Sequence, residues 1–409
     1  MIKKPIEKRI LLICSTVSGG AFSMTRTIAF SLKEYSDFDV DILSPNSNDI
    51  HFIVRFILKM EMFIINVFIK YFRLKKTNHE NYFFDLPMSS LTARLWLYFN
   101  ARNYKFIISM WRSFFVSNKT LNNIINNDHI LIAYHTDMAW FTGGCHFSGD
   151  CTLYNQDCKA CQAVPNYLRK YVERNYHQKH ELAKNVYSIV PNQFVFNFSK
   201  RYDIAFKDSR ICYFPINSVF LRNVSKPTQK SKTFVFLSTT IADPRKGLEL
   251  YLDALKLLGD KKLLIGVKLV FVGHGASSNT DILKLDGVGD ITCYEYLEPV
   301  ELSKLYNNST AFISLPNQDM GPTSVFESIS ALCPVITSDV GIGPELVENG
   351  SGFTVHGRDP QAVADQINRM IMLKEEEYSI LIENCIKERT KFTQSYFSKK
   401  FIEYLSELA

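Results

Sequence analysis

Short apolar runs separated by stretches of helical period recur along the whole 409-residue chain, and this alternation limits its fold more than any other feature. A strand buried on both faces reads as an unbroken apolar run, and strands alternating with helices build parallel sheets covered on both sides. In the first half, residues 10–14, 38–43, 130–134 and 187–190 are the strand candidates, with a helix predicted near residues 20–33. Residues 234–238, 268–272, 291–294, 311–315 and 334–337 repeat the pattern in the second half. The expected fold class is α/β with two Rossmann-like domains. Residues 223–232, with Pro227 among crowded lysines and serines, have linker composition. The expected division is 1–222, 223–390 and an amphipathic end, 391–409, that can pack back on the first domain.

A hydrophobic content of 46% is enough for ordinary cores and argues against disorder. The opening apolar run, residues 10–14, is too short for a signal peptide, and no stretch reaches the roughly 18 uninterrupted apolar residues of a spanning helix. A cytoplasmic protein is expected. The formal net charge is +6, yet residues 51–76 alone carry Arg55, Lys59, Lys70, Arg73, Lys75 and Lys76 against the single acid Glu61. At 100° per residue Arg55, Lys59, Asn66, Lys70 and Arg73 share one stripe of a helix that is otherwise apolar. Such a helix can lie on an anionic membrane surface, or be buried with its cations snorkelling outward.

The most informative stretch runs from Leu315 to Thr337. A predicted strand ends at Leu315, a loop carries Asp319 and Gly321, and a helix begins near Thr323 and presents Glu327 within its first turns. Strand C-termini followed by helix N-termini bind anions, because free N–H groups and the helix dipole stabilise phosphate there. Two carboxylates eight residues apart would not bind phosphate themselves. They suit hydrogen bonds from sugar hydroxyls, Asp319 on a transferred sugar and Glu327 on a ribose.

Here the chain resembles the retaining glycosyltransferases of family 4, which have the GT-B fold, two Rossmann-like domains facing a central cleft, and a Glu-x7-Glu motif. Asp319-x7-Glu327 and the following Cys333-Pro334-Val335-Ile336 fall in register with that motif, with aspartate as the first acid. The resemblance implies that Gly321, Pro322 and Thr323 form the phosphate-binding helix start. It extends upstream, where Arg245 and Lys246 before Gly247 match the loop that supplies cations to the donor diphosphate. A fixed ammonium there suits a leaving group that gains negative charge as the glycosidic bond breaks.

In the first half, Gly19-Gly20 follows the opening strand and permits close approach to a ligand. The resemblance implies a cleft histidine at a strand end that positions the donor sugar, and His135 is the candidate. Cys145, Cys151, Cys158 and Cys161 have the spacing Cys-x5-Cys-x6-Cys-x2-Cys. Four thiolates can close a structural zinc site; a disulfide knuckle, an iron–sulfur site and free thiols are the alternatives. The resemblance implies a hexosyltransferase using a nucleoside-diphosphate sugar without a catalytic cofactor, acting on a glycan or lipid-linked acceptor in bacterial polysaccharide synthesis at the inner membrane surface. Nucleic acid is not an expected partner. A nucleotide-sugar epimerase of the same fold and a zinc-knuckle nucleic-acid-binding protein are the competing readings.

Overall fold

The computed structural model describes residues 5–16, 19–71, 89–125, 129–149, 151–202, 204–222, 224–227, 231–285 and 290–408. The chain divides into two compact units, Met1–Tyr213 with Phe397–Ala409, and Phe214–Tyr396. The junction thus lies before the linker-like stretch. Ile216 N–H donates to Phe392 O at 2.9 Å and Arg389 Nη2 to Leu221 O at 2.5 Å, which ties residues 214–222 into the second unit.

The first unit holds a parallel sheet of β1 (Arg9–Ile13), β2 (Asp39–Leu43), β3 (Phe106–Ser109), β4 (Ile130–Tyr134), β5 (Tyr187–Val190) and β6 (Asp208–Ile211), in the order β2-β1-β3-β4-β5-β6. Its helices are α1 (Gly19–Tyr35), α2 (Phe52–Tyr71), α3 (Leu91–Asn100), α4 (Asn118–Ile125), α5 (Asn166–Ala183) and α6 (Gln193–Arg201). All residues of β1 and β3 are buried, as central parallel strands require. The Asp39 and Asp41 carboxylates are engaged at home. Arg9 Nη2 meets Asp41 at 3.2 Å, and the Tyr104 hydroxyl donates to Asp41 at 2.6 Å.

The second unit repeats the design with β7 (Thr233–Thr240), β8 (Lys268–His274), β9 (Asp290–Tyr294), β10 (Ala311–Ser314), β11 (Val335–Ser338) and β12 (Gly352–Val355), in the order β12-β11-β10-β7-β8-β9. Helices α7 (Leu248–Asp260), α8 (Thr280–Leu283), α9 (Pro299–Asn307), α10 (Thr323–Ser330), α11 (Gly343–Glu348), α12 (Pro360–Met372) and α13 (Glu375–Glu388) connect and follow these strands. The last helix, α14 (Gln394–Leu408), returns to the first unit. There Ser398 Oγ donates to Ser31 O on α1 at 2.7 Å, and Phe397 and Phe401 are buried.

Three strands differ from the sequence expectation. β6, Asp-Ser-Arg-Ile, has no fully buried residue, and β12, Gly-Phe-Thr-Val, alternates small or polar residues with apolar ones, so neither offers a continuous apolar run to read. β3 is central but only four residues long, a length at which an apolar run is indistinguishable from a fragment of helix. Among the described residues no helix is long and apolar enough to cross a membrane. Arg73, Lys75 and Lys76 of the basic segment lie outside the described residues.

Candidate active site

Strands β7 and β10 are adjacent and parallel, so the loops at their C-terminal ends meet. After β7 the chain makes a short 3-10 turn, Pro244–Lys246, started by Asp243, whose carboxylate accepts from Arg245 N–H at 3.0 Å. Gly247 then takes a left-handed conformation (φ 79°, ψ 29°) and opens α7. A Cβ on Gly247 would stand 2.1 Å from Leu315 O, at the end of β10. Glycine is therefore required by both the backbone angle and the close approach. Asn317 N–H donates to Arg245 O at 2.9 Å, stitching the two loops together.

That stitching delivers the Lys246 ammonium to the Asp319 carboxylate, 2.6 Å away. Burial by itself would raise the Asp319 carboxyl; the Lys246 ammonium, the Gly321 N–H at 3.0 Å and the nearby Arg245 charge outweigh it and hold it below the usual carboxylate range. Arg245 is itself paired with Asp243 at 2.7 Å. The second predicted cation thus braces its own turn while adding positive potential. Lys246, a quarter exposed, spends one ammonium proton on Asp319 and retains donors for a ligand.

Directly after Asp319, Gly321 (φ 155°) and Pro322 lead into α10. No side chain caps the start of this helix and no acid occupies its first turn. Its N–H groups at Thr323 and Ser324 form the positive end of the helix dipole, beside Lys246. Gly341 (φ 71°), in the loop after β11, keeps the wall close: a Cβ there would reach 3.0 Å from Pro322 Cδ. Glu327 stands about 6 Å further along the helix from Thr323. It is half-buried, and among the described residues nothing hydrogen-bonds its carboxylate. Burial pushes it up to about 7.

Lys246, Asp319 and the α10 start are thus brought together, with Glu327 one turn deeper on the same helix. The first unit treats its candidates differently. His135 is 1% exposed, its Nε2 lies 3.0 Å from Ser188 Oγ, and its ring stacks on Phe141 at 5.0 Å and meets Phe206 edge-on at 5.1 Å. Burial lowers it to about 3. It is a neutral core histidine, and the expectation that it reaches a sugar from a cleft is corrected here: the loop after β4 folds back and Phe141 covers the ring. A methyl added at Gly20, in the first turn of α1, would meet nothing within 4 Å.

The partners of that loop are not legible in the sequence. His146 links Ser113, through Nε2, to Asp137, through Nδ1. It stacks on Trp111 at 4.0 Å, and all three linked side chains are buried. Cys145, Cys151, Cys158 and Cys161 line one cavity of 330 Å³. A zinc tetrahedron requires thiolates about 3.8 Å apart. Among the described residues the only trio of His, Cys, Asp or Glu with ligand atoms mutually within 4.8 Å is Asp157, Glu173 and His177. The four thiols share a cavity without closing a metal cage, and the zinc expectation is not met by their geometry. Burial pushes the Cys158 thiol up to about 11.

Residues 221–388 match the family model of glycosyl transferases group 1. The match contains Lys246, Asp319, α10 and Glu327. Over 88 residues the chain is 30% identical to spore coat protein SA of Bacillus subtilis (strain 168), a stretch that is 21% of this chain and 23% of that protein. The chain therefore spans about a quarter of that relative's length. Anabaena Alr3699/HepE, solved in complex with UDP and glucose, superposes with a TM-score of 0.62 at 13% identity, covering 97% of this chain and 99% of that one. Sucrose-phosphate synthase from Thermosynechococcus elongatus superposes with a TM-score of 0.63 at 14% identity, covering 98% and 99%. Two parallel six-stranded α/β units matching these structures are the GT-B fold, and the stretch that resembles group 1 glycosyl transferases lies within the second unit.

Proposed function

We propose that the chain is a retaining glycosyltransferase that takes a sugar from a nucleoside-diphosphate donor held on the second unit. The observation that carries this reading is the Lys246–Asp319 pair at 2.6 Å beside the uncapped start of α10: a cation and a set of N–H donors for a diphosphate, next to a carboxylate that stays ionised. Lys246 and the N–H groups of Thr323 and Ser324 stabilise the charge that grows on the departing diphosphate. Gly321 and Pro322 set the entry angle of the helix. Asp319 accepts hydrogen bonds from the transferred sugar and Glu327 from the ribose. The complex of Alr3699/HepE with UDP and glucose supports a donor of this class.

The acceptor is proposed to be a glycan or a lipid-linked saccharide of a bacterial surface polysaccharide, met at the cytoplasmic face of the inner membrane. Support comes from α2. Leu58 and Ile65 face the core, while Phe52, Phe56, Met60, Phe63, Ile64 and Val67 are each 47–65% exposed. On a helical wheel this exposed apolar face spans well over 100° and is bordered by Arg55 and Lys59, the arrangement of an interfacial helix.

The test is transfer itself. Incubation with nucleoside-diphosphate sugars and acceptor saccharides is expected to give a new linkage whose anomeric configuration, read by NMR, equals that of the donor. Inversion would refute retention, and sugar interconversion without any acceptor would establish an epimerase instead. Glu327 adds a pH signature. Because its folded value is raised to about 7 and ribose hydroxyls favour the ionised carboxylate, affinity for the intact donor sugar is expected to fall several-fold from about pH 7 to about pH 6. Glu327→Gln should flatten that profile in a calorimetric titration, and an unchanged slope would remove Glu327 from the donor site.

A further inference from the structure

The first unit holds a cationic cavity that the transfer chemistry above does not use. It measures 830 Å³, opens between α3 and α4, and is lined by Arg94, Arg102, Lys119 and His129 together with Leu95 and Tyr98. No described lining residue is acidic. Arg94, Arg102 and Lys119 are exposed and, among the described residues, none of the three has an ion-pair partner. Unpaired cations around a concave, partly apolar floor set up a potential that favours a compact anion.

The cavity is continuous with apolar surface. Leu95 and Tyr98, which line it, are 47% and 78% exposed, and Leu91 and Phe99 on the same helix are 52% and 62% exposed. At 100° per residue these four share one face of α3, and Arg94 stands at its border. α3 is fastened to α2 by the Glu61 carboxylate, which accepts from the hydroxyls of Ser90 and Thr92 and from Thr92 N–H at the start of α3. The exposed apolar surface of α2 therefore belongs to the same body as the cavity. An apolar face that ends at a cluster of unpaired cations has the two chemistries of a phospholipid-like amphiphile, chains on one part and an anionic phosphate on the other.

We propose that this cavity binds the phosphate headgroup of an anionic lipid whose hydrocarbon lies along the exposed faces of α3 and α2. The inference rests on the membrane-contact reading of α2 and is independent of the donor site, which belongs to the other unit. Arg94 and Arg102 supply planar donors that can grip phosphate oxygens in pairs, and Lys119 adds a point charge.

The experiment is flotation of the full chain with phosphatidylcholine vesicles prepared with and without phosphatidic acid. Wild type is expected to prefer the vesicles containing phosphatidic acid. The triple variant Arg94→Gln/Arg102→Gln/Lys119→Gln should lose on the order of a hundredfold in that binding, with unchanged circular dichroism and unchanged thermal stabilisation by UDP. A control removing equal charge elsewhere on this unit, Lys170→Gln/Arg174→Gln/Arg201→Gln, should lose less than about threefold. Millimolar glycerol phosphate in solution should not compete, because it lacks the hydrocarbon. Equal losses in the two triple variants would overturn the cavity as a site. Competition by glycerol phosphate would assign it to a free phosphate compound. Loss of vesicle binding in Phe56→Ser/Phe63→Ser with none in the Arg94 triple variant would leave membrane contact standing and sink the headgroup site. A dimer in sedimentation with no vesicle binding would give the surface to a second copy of the chain.

Discussion

Replacing Lys246 with methionine is expected to lower sugar transfer by 10²–10³-fold, with most of the loss in kcat. Methionine keeps the volume of the side chain and deletes only its charge. In the ground state the donor diphosphate is already held by the N–H groups of α10, so the ammonium matters most as negative charge builds on the departing phosphate. The substitution also strands Asp319, 8% exposed, without its counter-ion. Its depressed value contributes stability above the ordinary carboxylate range, and this is lost as pH falls through the folded value. With the lysine gone, burial would raise that carboxyl, and the variant should lose roughly 1–3 kcal/mol at neutral pH. Lys246→Met/Asp319→Asn separates the two effects, since it should recover much of the stability and none of the activity. A Lys246→Met enzyme that retains wild-type kcat would remove the ammonium from the chemistry.

Gly247→Ala is expected to cost about 3–5 kcal/mol, lowering the melting temperature of the second unit by roughly 10 °C or more. A left-handed alanine by itself costs about 1–2 kcal/mol. The larger part comes from its Cβ, which would sit 2.1 Å from Leu315 O and force the start of α7 away from the end of β10. Both loops that carry the site hang on that contact, so activity should fall with stability. Gly266→Ala is the matched control. Its φ is 72°, yet a Cβ there meets nothing within 4 Å, and it should lose only the backbone strain. Equal losses in the two variants would mean that the close approach at Gly247 carries no weight.

Central strands other than β3 were legible in the amino-acid sequence because burial on both faces demands unbroken apolar runs, as in Ile10–Leu11–Leu12–Ile13. Edge strands such as β6, half-covered and partly polar, leave no such mark. The donor-side candidates were legible for a related reason. Lys246, Asp319 and Glu327 lie at strand ends and helix starts, a placement that follows from the local alternation of strand and helix. The pairing of Lys246 with Asp319 was not legible, since it depends on β7 and β10 becoming neighbours across more than seventy residues. His135 misled for the same physical reason. A histidine at a strand end faces whatever the following loop leaves open, and only the tertiary fold brings Phe141 and Phe206 over it. For α2, a helix apolar on most of its circumference is compatible with burial or with a membrane surface. What the sequence does not tell is how much of it α3 and the sheet cover, and Phe56 and Phe63 stay exposed.

Donor use by the second unit depends on one binding site, in which an ammonium and the open start of α10 receive a diphosphate. Isothermal titration of the full chain with UDP measures it directly. Saturable one-site binding in the wild type, weakened at least tenfold by Lys246→Met and unaltered by the Arg94→Gln/Arg102→Gln/Lys119→Gln variant, is the predicted result. Wild-type affinity in Lys246→Met, or no saturable heat with UDP or any other nucleoside diphosphate, would contradict it.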